Sequence, residues 1–84
     1  MADLDTEFQT AVANSKQLSE RPDNATLLKI YALYKQATSG DNAETKPGFS
    51  DLIGRAKWDA WNALKGTAAD DAKQKYIDLI EELS

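Results

Sequence analysis

Residues 31–50 read YALYKQATSGDNAETKPGFS, a stretch in which a helix ends and a long connection begins. Tyr31, Tyr34 and Lys35 lie at positions i, i+3 and i+4, and residues at this spacing are neighbours on one helix face. A pair of tyrosines is ordinary core material, whereas a lysine beside the pair is not. This helix face is therefore a candidate binding surface as well as a packing surface.

The second part of the stretch predicts a loop that is unusually long for so small a domain. Gly40 is expected to end the helix in the left-handed conformation, and Pro47-Gly48 is a strong turn signal. Residues 39–50 thus form a connection without a helix of its own, and loops of this length are often functional.

Four segments of the chain follow the 3.6-residue period of amphipathic helices, and no convincing strand pattern accompanies them. Their approximate bounds are residues 4–18, 24–38, 51–65 and 67–84. The sequence predicts an all-α fold, a four-helix bundle with its long loop between helices 2 and 3, as a single domain over residues 1–84. The apolar stripes are narrow, so the core is expected to depend on four aromatic residues: Phe8, Trp58, Trp61 and Tyr76.

Polar residues that can cap a helix precede three of these segments. Asp3 or Asp5 is expected to cap the first helix and Asn24 the second. Thr67 is expected to cap the fourth helix, with Asp70 three residues later in a box-like position.

The composition argues against an enzyme. The 84 residues include no cysteine and no histidine, which removes disulfides, thiolate metal sites and the usual general base near neutral pH. No Gly-rich phosphate loop is present, and nothing selects one pair of carboxylates for catalysis. We therefore expect no catalytic residue, no metal and no cofactor.

The charge and hydropathy patterns indicate a soluble protein with a localised anion site. The N-terminal stretch MADLDTEF is acidic and polar, and no segment approaches the roughly 20 apolar residues of a membrane span. We expect a cytoplasmic protein without stable membrane insertion. The net charge of −4 argues against nucleic-acid binding, yet residues 29–66 carry six basic and four acidic side chains.

Aromatic and basic side chains on several helices form the candidate site. They are Lys16, Tyr31, Tyr34, Lys35, Lys57, Trp58 and Tyr76. Aromatic rings stack on bases, while tyrosine hydroxyls and lysine ammonium groups bind phosphate oxygens, so the combination suits a nucleotide. Each residue also has an ordinary explanation when taken alone, the rings as core and the lysines as surface residues.

Three stretches carry a resemblance to a known family. YALYKQATSGD, KPGFSDLIGRAKWDAWNALKG and KQKYIDLIEEL closely resemble the acyl-CoA-binding protein family, and the similarity runs from Phe8 to the C-terminus. The resemblance implies a four-helix fold and a non-catalytic intracellular carrier that binds long-chain acyl-CoA, forms a pool of it and shields the thioester.

The resemblance also implies roles for particular residues. The family's ligand-binding residues match Lys16, Tyr31, Tyr34, Lys35, Lys57 and Tyr76, with tyrosines on the adenine and phosphates and lysines on the phosphate charge. It further implies an aromatic cluster of Phe8, Trp58 and Tyr76 that ties helices 1, 3 and 4 together. One departure is Ile53, which stands where many members carry a lysine.

The acyl chain is expected to lie in a groove near helices 1 to 3, with Leu28, Val12 and Ile53 as liners. The expected partner is long-chain acyl-CoA, and the chain is expected to act as a monomer. A small helical module that docks an acidic peptide is the alternative, and an enzyme acting on the thioester is a weaker one.

Overall fold

The structure, a computed structural model, describes residues 3–84. Its helices are α1 (Leu4–Ser15), α2 (Asn24–Ser39), α3 (Leu52–Asn62) and α4 (Ala69–Leu83). The described part of the chain contains no strand, so the all-α prediction with a long loop between α2 and α3 is confirmed. The single-domain prediction includes Met1 and Ala2, which lie outside the described residues.

The four helices form a flat row in the spatial order α1, α4, α2, α3. In the described structure α4 packs against α1 and α2, while α3 packs against α2. The Cα atoms span 45 × 29 × 14 Å, so the row is only 14 Å across in its thinnest direction. Because α3 stands at one end, its face beside α2 lines a groove open to solvent. Every helix among residues 3–84 is too short or too polar to cross a bilayer.

The main core is built by α1, α2 and α4 without a buried residue from α3. Its fully or nearly buried members are Phe8, Ala11, Leu33, Ala37, Ala72, Tyr76, Ile77 and Ile80. Their spacing of three or four residues along each helix places them on one stripe. Trp61 is also buried, between α3 and the end of α2, where its Nε1 donates to the Gly40 carbonyl at 2.8 Å.

The aromatic cluster differs from the one implied by the resemblance. Phe8 and Tyr76 make an edge contact with ring centroids 5.1 Å apart, and the third ring of the cluster is Tyr34, at 6.1 Å from Phe8 and 6.4 Å from Tyr76. The cluster therefore ties α1, α2 and α4 together. Trp58 is half-buried and faces the long loop, where its Nε1 donates to the Glu44 carbonyl at 2.7 Å, because α3 packs on α2 and not on α1 or α4.

The helix ends confirm some capping predictions and correct others. Of the two predicted candidates, Asp3 and not Asp5 caps α1, since the Asp3 Oδ1 accepts a hydrogen bond from the Thr6 amide at 2.7 Å. The prediction of Asn24 as the cap of α2 was wrong: Asp23 accepts from the Thr26 amide at 2.7 Å, and Asn24 is the first helical residue. An ionised carboxylate beside a helix N-terminus also interacts favourably with the helix dipole.

The helix α1 ends at Ser15, three residues earlier than predicted, and the connections on either side of α3 contain further differences. Gly40 ends α2 as predicted, with a positive φ of 78°, although its ψ of −152° is not that of the left-handed helical conformation. The helix α3 ends three residues earlier than predicted, and tight turns continue the chain to Gly66 at φ 91°. Thr67 does not cap α4, because Ala68 precedes the helix without a capping side chain and the Thr67 carbonyl accepts from Gln36.

The buried side-chain amide of Gln36 joins α2 to the connections before and after α3. The Gln36 Nε2 donates to Asp41 Oδ1 at 2.9 Å and to the Thr67 carbonyl at 2.8 Å. The same Asp41 oxygen accepts from the Gly66 amide at 2.8 Å. The bond from the Gly66 amide, followed by that from Gln36, lowers the pKa of the Asp41 carboxyl below its ordinary value of 3.8.

We expect this carboxylate to contribute to acid sensitivity. A pKa that is lower in the folded state stabilises the fold above the unfolded value of 3.8, and this contribution is lost as pH falls through the folded pKa. Asp41→Asn should therefore narrow the difference between urea midpoints measured at about pH 7 and about pH 3. Glu82→Gln, on an exposed carboxylate of α4, serves as the control. An Asp41→Asn protein with the acid sensitivity of the parent chain would contradict this assignment.

Candidate functional site

A groove of about 400 Å³ lies between α2 and α3. Its lining residues are Arg21, Asn24, Leu27, Leu28, Tyr31, Leu52, Ile53, Ala56 and Lys57. The α2 members recur at three- and four-residue intervals, as do those of α3, so each helix presents one face to the groove. The walls are mostly apolar, and the lining residues with polar side chains are Arg21, Asn24, Tyr31 and Lys57.

Two cation–aromatic pairs cross from α2 to α3. The Lys57 Nζ lies 5.4 Å from the Tyr31 ring centroid. One turn farther along both helices, the Lys35 Nζ lies 4.8 Å from the centroid of Trp61. The pairs alternate, because α2 supplies the ring in the first and the cation in the second. Each ring holds an ammonium group beside the groove without neutralising its charge.

Tyr34 and Tyr76 lie in the aromatic cluster on the side of α2 that faces α1 and α4. Tyr34 is 41% exposed although its ring lies near those of Phe8 and Tyr76, so one edge of the cluster is accessible. Tyr76 is only 2% exposed, and burial raises the pKa of its phenol above the ordinary value of 10.0. Its hydroxyl therefore remains protonated at neutral pH and can donate a hydrogen bond.

The structure brings four of the predicted site residues to the groove or beside it, whereas Tyr34 and Tyr76 lie in the aromatic cluster and Lys16 lies at the end of α1. Leu28, Tyr31 and Lys57 line the groove, and Lys35 lies one turn from it. Lys16 is exposed at the C-cap of α1, and its Nζ makes no hydrogen bond or ion pair within the described residues.

The predicted liners of the groove are partly corrected. Leu28 and Ile53 line it, but Val12 packs against the main core of α1, α2 and α4. The groove consequently belongs to α2 and α3, and α1 contributes no lining residue.

Sequence reasoning missed part of the lining. With Ala56 counted, the missed residues number five: Arg21, Asn24, Leu27, Leu52 and Ala56. The spacing of residues 24, 27, 28 and 31 was the available signal, since it defines one helix face. Arg21 precedes α2 and reaches Asn24 Oδ1 with its Nη2 at 3.3 Å, a contact that no periodicity indicates.

This arrangement is suited to an amphiphilic anion. An apolar chain can lie along the walls, while the ammonium groups of Lys57 and Lys35 remain available to phosphate or carboxylate oxygens. Within residues 3–84 no group of three or more acidic, histidine or cysteine side chains could hold a metal ion.

Comparisons with known proteins give a consistent result. The family model described as "Acyl CoA binding protein" matches residues 5–80. The acyl-CoA-binding protein homolog 1 of Caenorhabditis elegans is 54% identical over 76 residues, which cover 90% of this chain and 88% of that protein. The crystal structure of Oryza sativa acyl-CoA-binding protein 2 superposes with a TM-score of 0.92 at 37% identity, covering 96% of this chain and 90% of that one. Human enoyl-CoA delta isomerase 2 is 49% identical over 78 residues, which cover 93% of this chain but only 20% of the isomerase.

Proposed function

The chain belongs to the acyl-CoA-binding protein family, and on that premise we propose that it binds long-chain acyl-CoA thioesters in the groove between α2 and α3 without transforming them. The observation that carries this proposal is the junction of apolar walls with the Tyr31–Lys57 pair in one cleft. The groove volume of about 400 Å³ lies in the usual range for small-molecule sites.

The head group is assigned to the cationic end of the groove. Coenzyme A carries about four negative charges at neutral pH, two of them on its phosphomonoester. Lys57 and Lys35 supply compact positive charges there, and the Tyr31 ring offers a face on which adenine can stack. Charge-assisted hydrogen bonds to phosphate are stronger than neutral ones, so these lysines discriminate a CoA ester from an uncharged lipid.

The remaining head-group contacts lie beyond the groove. Tyr34 follows Tyr31 by three residues on α2, and its exposed edge leads to the buried Tyr76. We assign Tyr34 and Tyr76 to this extended contact and Lys16 to its solvent-exposed rim. These three assignments rest on the family resemblance and on the accessible edge of Tyr34, whereas Tyr31, Lys35 and Lys57 are supported by the two cation–aromatic pairs.

The acyl chain is assigned to the apolar walls. Leu28 and Ile53 lie on opposite sides of the groove, supported by Leu27, Leu52 and Ala56. Burial of a methylene gains about 0.8 kcal/mol, so chain length should govern affinity strongly, although ordering the chain reduces the net gain.

A carrier role follows from the chemistry of the lining. The lining side chains include no carboxylate, serine, cysteine or histidine, and a thioester in the groove would meet mostly apolar groups. We therefore propose a monomeric cytoplasmic carrier that forms a pool of acyl-CoA and protects the thioester from hydrolysis. The isomerase activity of the larger human relative is not transferred, because the similarity spans a fifth of that protein.

Isothermal calorimetry with palmitoyl-CoA, free CoA and palmitate tests recognition of both ends of the ligand. We expect palmitoyl-CoA to bind at least about tenfold more tightly than free CoA or palmitate. Free CoA lacks the contacts of the acyl chain and palmitate lacks those of the head group, and either set contributes about 1.4 kcal/mol or more. Affinity should also rise steadily through an acyl-length series. Equal binding of palmitate and palmitoyl-CoA would contradict the proposal, and release of free CoA during incubation would contradict a non-catalytic role.

A further inference from the structure

The groove lining contains two charged side chains, and the proposed function uses only one of them. The two are Arg21 and Lys57, and both are basic. Lys57 lies beside the Tyr31 ring and is assigned to the head group of the ligand. Arg21 has no part in that assignment, because an unmodified alkyl chain offers no acceptor to a guanidinium group.

The two basic side chains lie towards opposite ends of the groove. Tyr31 pairs with Lys57 and Lys35 pairs with Trp61, so a step of four residues along α2 corresponds to a step of four residues along α3. The two helices therefore run in the same direction, and the head-group contacts lie towards their C-terminal ends. Arg21 precedes the first residue of α2 and stands at the other end.

An apolar interval separates the two charges. Helix α2 rises about 10 Å from Asn24 to Tyr31, at the usual rise per residue. The walls over this interval are aliphatic and include Leu27, Leu28 and Ile53. No carboxylate belongs to the lining, so a second anionic group at the far end of a ligand would meet no like charge there.

The Arg21 guanidinium is exposed and only weakly bonded to the protein. Its Nη2 donates to Asn24 Oδ1 at 3.3 Å and its Nη1 to the Pro22 carbonyl at 3.5 Å, both longer than the usual range for such bonds. It makes no ion pair within residues 3–84. The neighbouring carboxylate of Asp23 accepts from the Thr26 amide at 2.7 Å as the cap of α2. Donors of the guanidinium thus remain available to an anion at the end of the groove.

We propose that Arg21 binds a carboxylate at the ω end of the acyl chain, so that the groove accepts CoA monothioesters of dicarboxylic acids. The planar fork of a guanidinium matches a carboxylate with two parallel hydrogen bonds. The head group would lie at Lys57, the ω-carboxylate at Arg21 and the methylenes along the aliphatic walls between them. This inference rests on the proposed function, because it uses the same groove and the same orientation of the ligand.

An arginine at a groove end has an ordinary alternative role. Its stem can cover apolar surface while its charged head stays in water. A covering side chain would not favour a carboxylate over a methyl group at the end of the ligand. The proposed contact also depends on chain length, because a shorter chain would leave its carboxylate among aliphatic side chains, where burial of a charge is unfavourable.

Calorimetry with decanedioyl-, dodecanedioyl- and hexadecanedioyl-CoA tests the proposal, each compared with the monocarboxylic ester of equal length. In the parent chain we expect the affinity ratio of diacid to monoacid to be greatest at the length that reaches Arg21. Arg21→Gln should lower the ratio at that length by about fivefold, the upper range for an exposed charge pair. Arg21→Lys should retain part of it, and Lys75→Gln, on an exposed lysine of α4, should leave it unchanged.

Two results would overturn the assignment of Arg21. One is an Arg21→Gln chain with the parent's ratio at every chain length, and the other is an equal decrease of the ratio in Lys75→Gln, since net charge alone would then explain it. The NMR signal of the Arg21 Nε–H group should also shift more in the diacid complex than in the monoacid complex, and equal shifts would contradict the contact. If the parent chain bound none of the monocarboxylic esters, the proposed function itself would fail, so the two failures are distinguishable.

Discussion

Replacing Lys35 and Lys57 together by alanine is expected to weaken palmitoyl-CoA binding by about a hundredfold. Each ammonium group is held beside a ring at the groove, and a hydrogen bond to a charged partner contributes about 1.5–3 kcal/mol. The double variant is expected to lose less binding free energy than the sum of the two single variants, because both lysines face the same polyanion. Isothermal calorimetry measures the change, and the affinity of the parent chain should also fall as salt increases.

A second double variant separates local charge from net charge. Lys29→Ala with Lys75→Ala removes the same two charges, but Lys29 lies on another face of α2 and Lys75 on α4, both exposed. We expect this control to bind within about threefold of the parent, because solvent screens exposed charges that do not contact the ligand. If the two double variants lost the same affinity for palmitoyl-CoA, net charge alone would attract the ligand. That result would contradict the assigned site.

Phe8→Ala is expected to lower the free energy of unfolding by about 3–5 kcal/mol. The Phe8 side chain is 1% exposed, and its ring contacts both Tyr34 and Tyr76, so truncation leaves a cavity where α1, α2 and α4 meet. Domains of this size have a total stability of about 5–15 kcal/mol, so the variant should be partly unfolded in mild denaturant. Urea unfolding followed by circular dichroism gives the value.

The second phenylalanine of the chain provides a matched control. Phe49 is 85% exposed and its ring centroid lies 4.7 Å from the Arg55 guanidinium, so we expect Phe49→Ala to lower the free energy of unfolding by no more than about 1 kcal/mol. The contrast tests where the core lies, because the two substitutions remove the same atoms. Similar decreases in the free energy of unfolding for Phe8→Ala and Phe49→Ala would contradict a core confined to α1, α2 and α4.

The helices were largely predictable from local signals, whereas their ends were less so. Periodic apolar residues and Gly40 gave the number of helices and the position of the loop. Asp23 and Asn24 are adjacent residues that both cap helices well, and pattern alone did not choose between them. Thr67 failed as a cap because its backbone lies in the link joined to Gln36, a contact 31 residues away in sequence.

The site was predictable only within each helix. The spacing of Tyr31, Tyr34 and Lys35 was visible from the sequence, but the pairing of Tyr31 with Lys57 depends on how α2 and α3 pack. Helix packing also explains why Trp58 was wrongly expected in the aromatic cluster. An aromatic residue in a helix is readily assigned to the core, and the row order of the helices, which no local pattern specifies, turns this one towards the loop.

The exposed start of α3 illustrates a further limit. Leucine and isoleucine side chains are usually buried, yet Leu52 and Ile53 are exposed because α3 at the end of the row has a helix partner on one side only. Their exposure follows from the packing order and provides the rim of the groove.

The most direct test of the central claim is an NMR titration of the isotope-labelled chain with palmitoyl-CoA. We predict that backbone amide shifts concentrate on the facing turns of α2 and α3, around Leu28, Tyr31, Ile53 and Lys57. Shifts concentrated instead in the cleft between α1 and α4, around Thr10 and Ile80, with α2 and α3 unaffected, would contradict it.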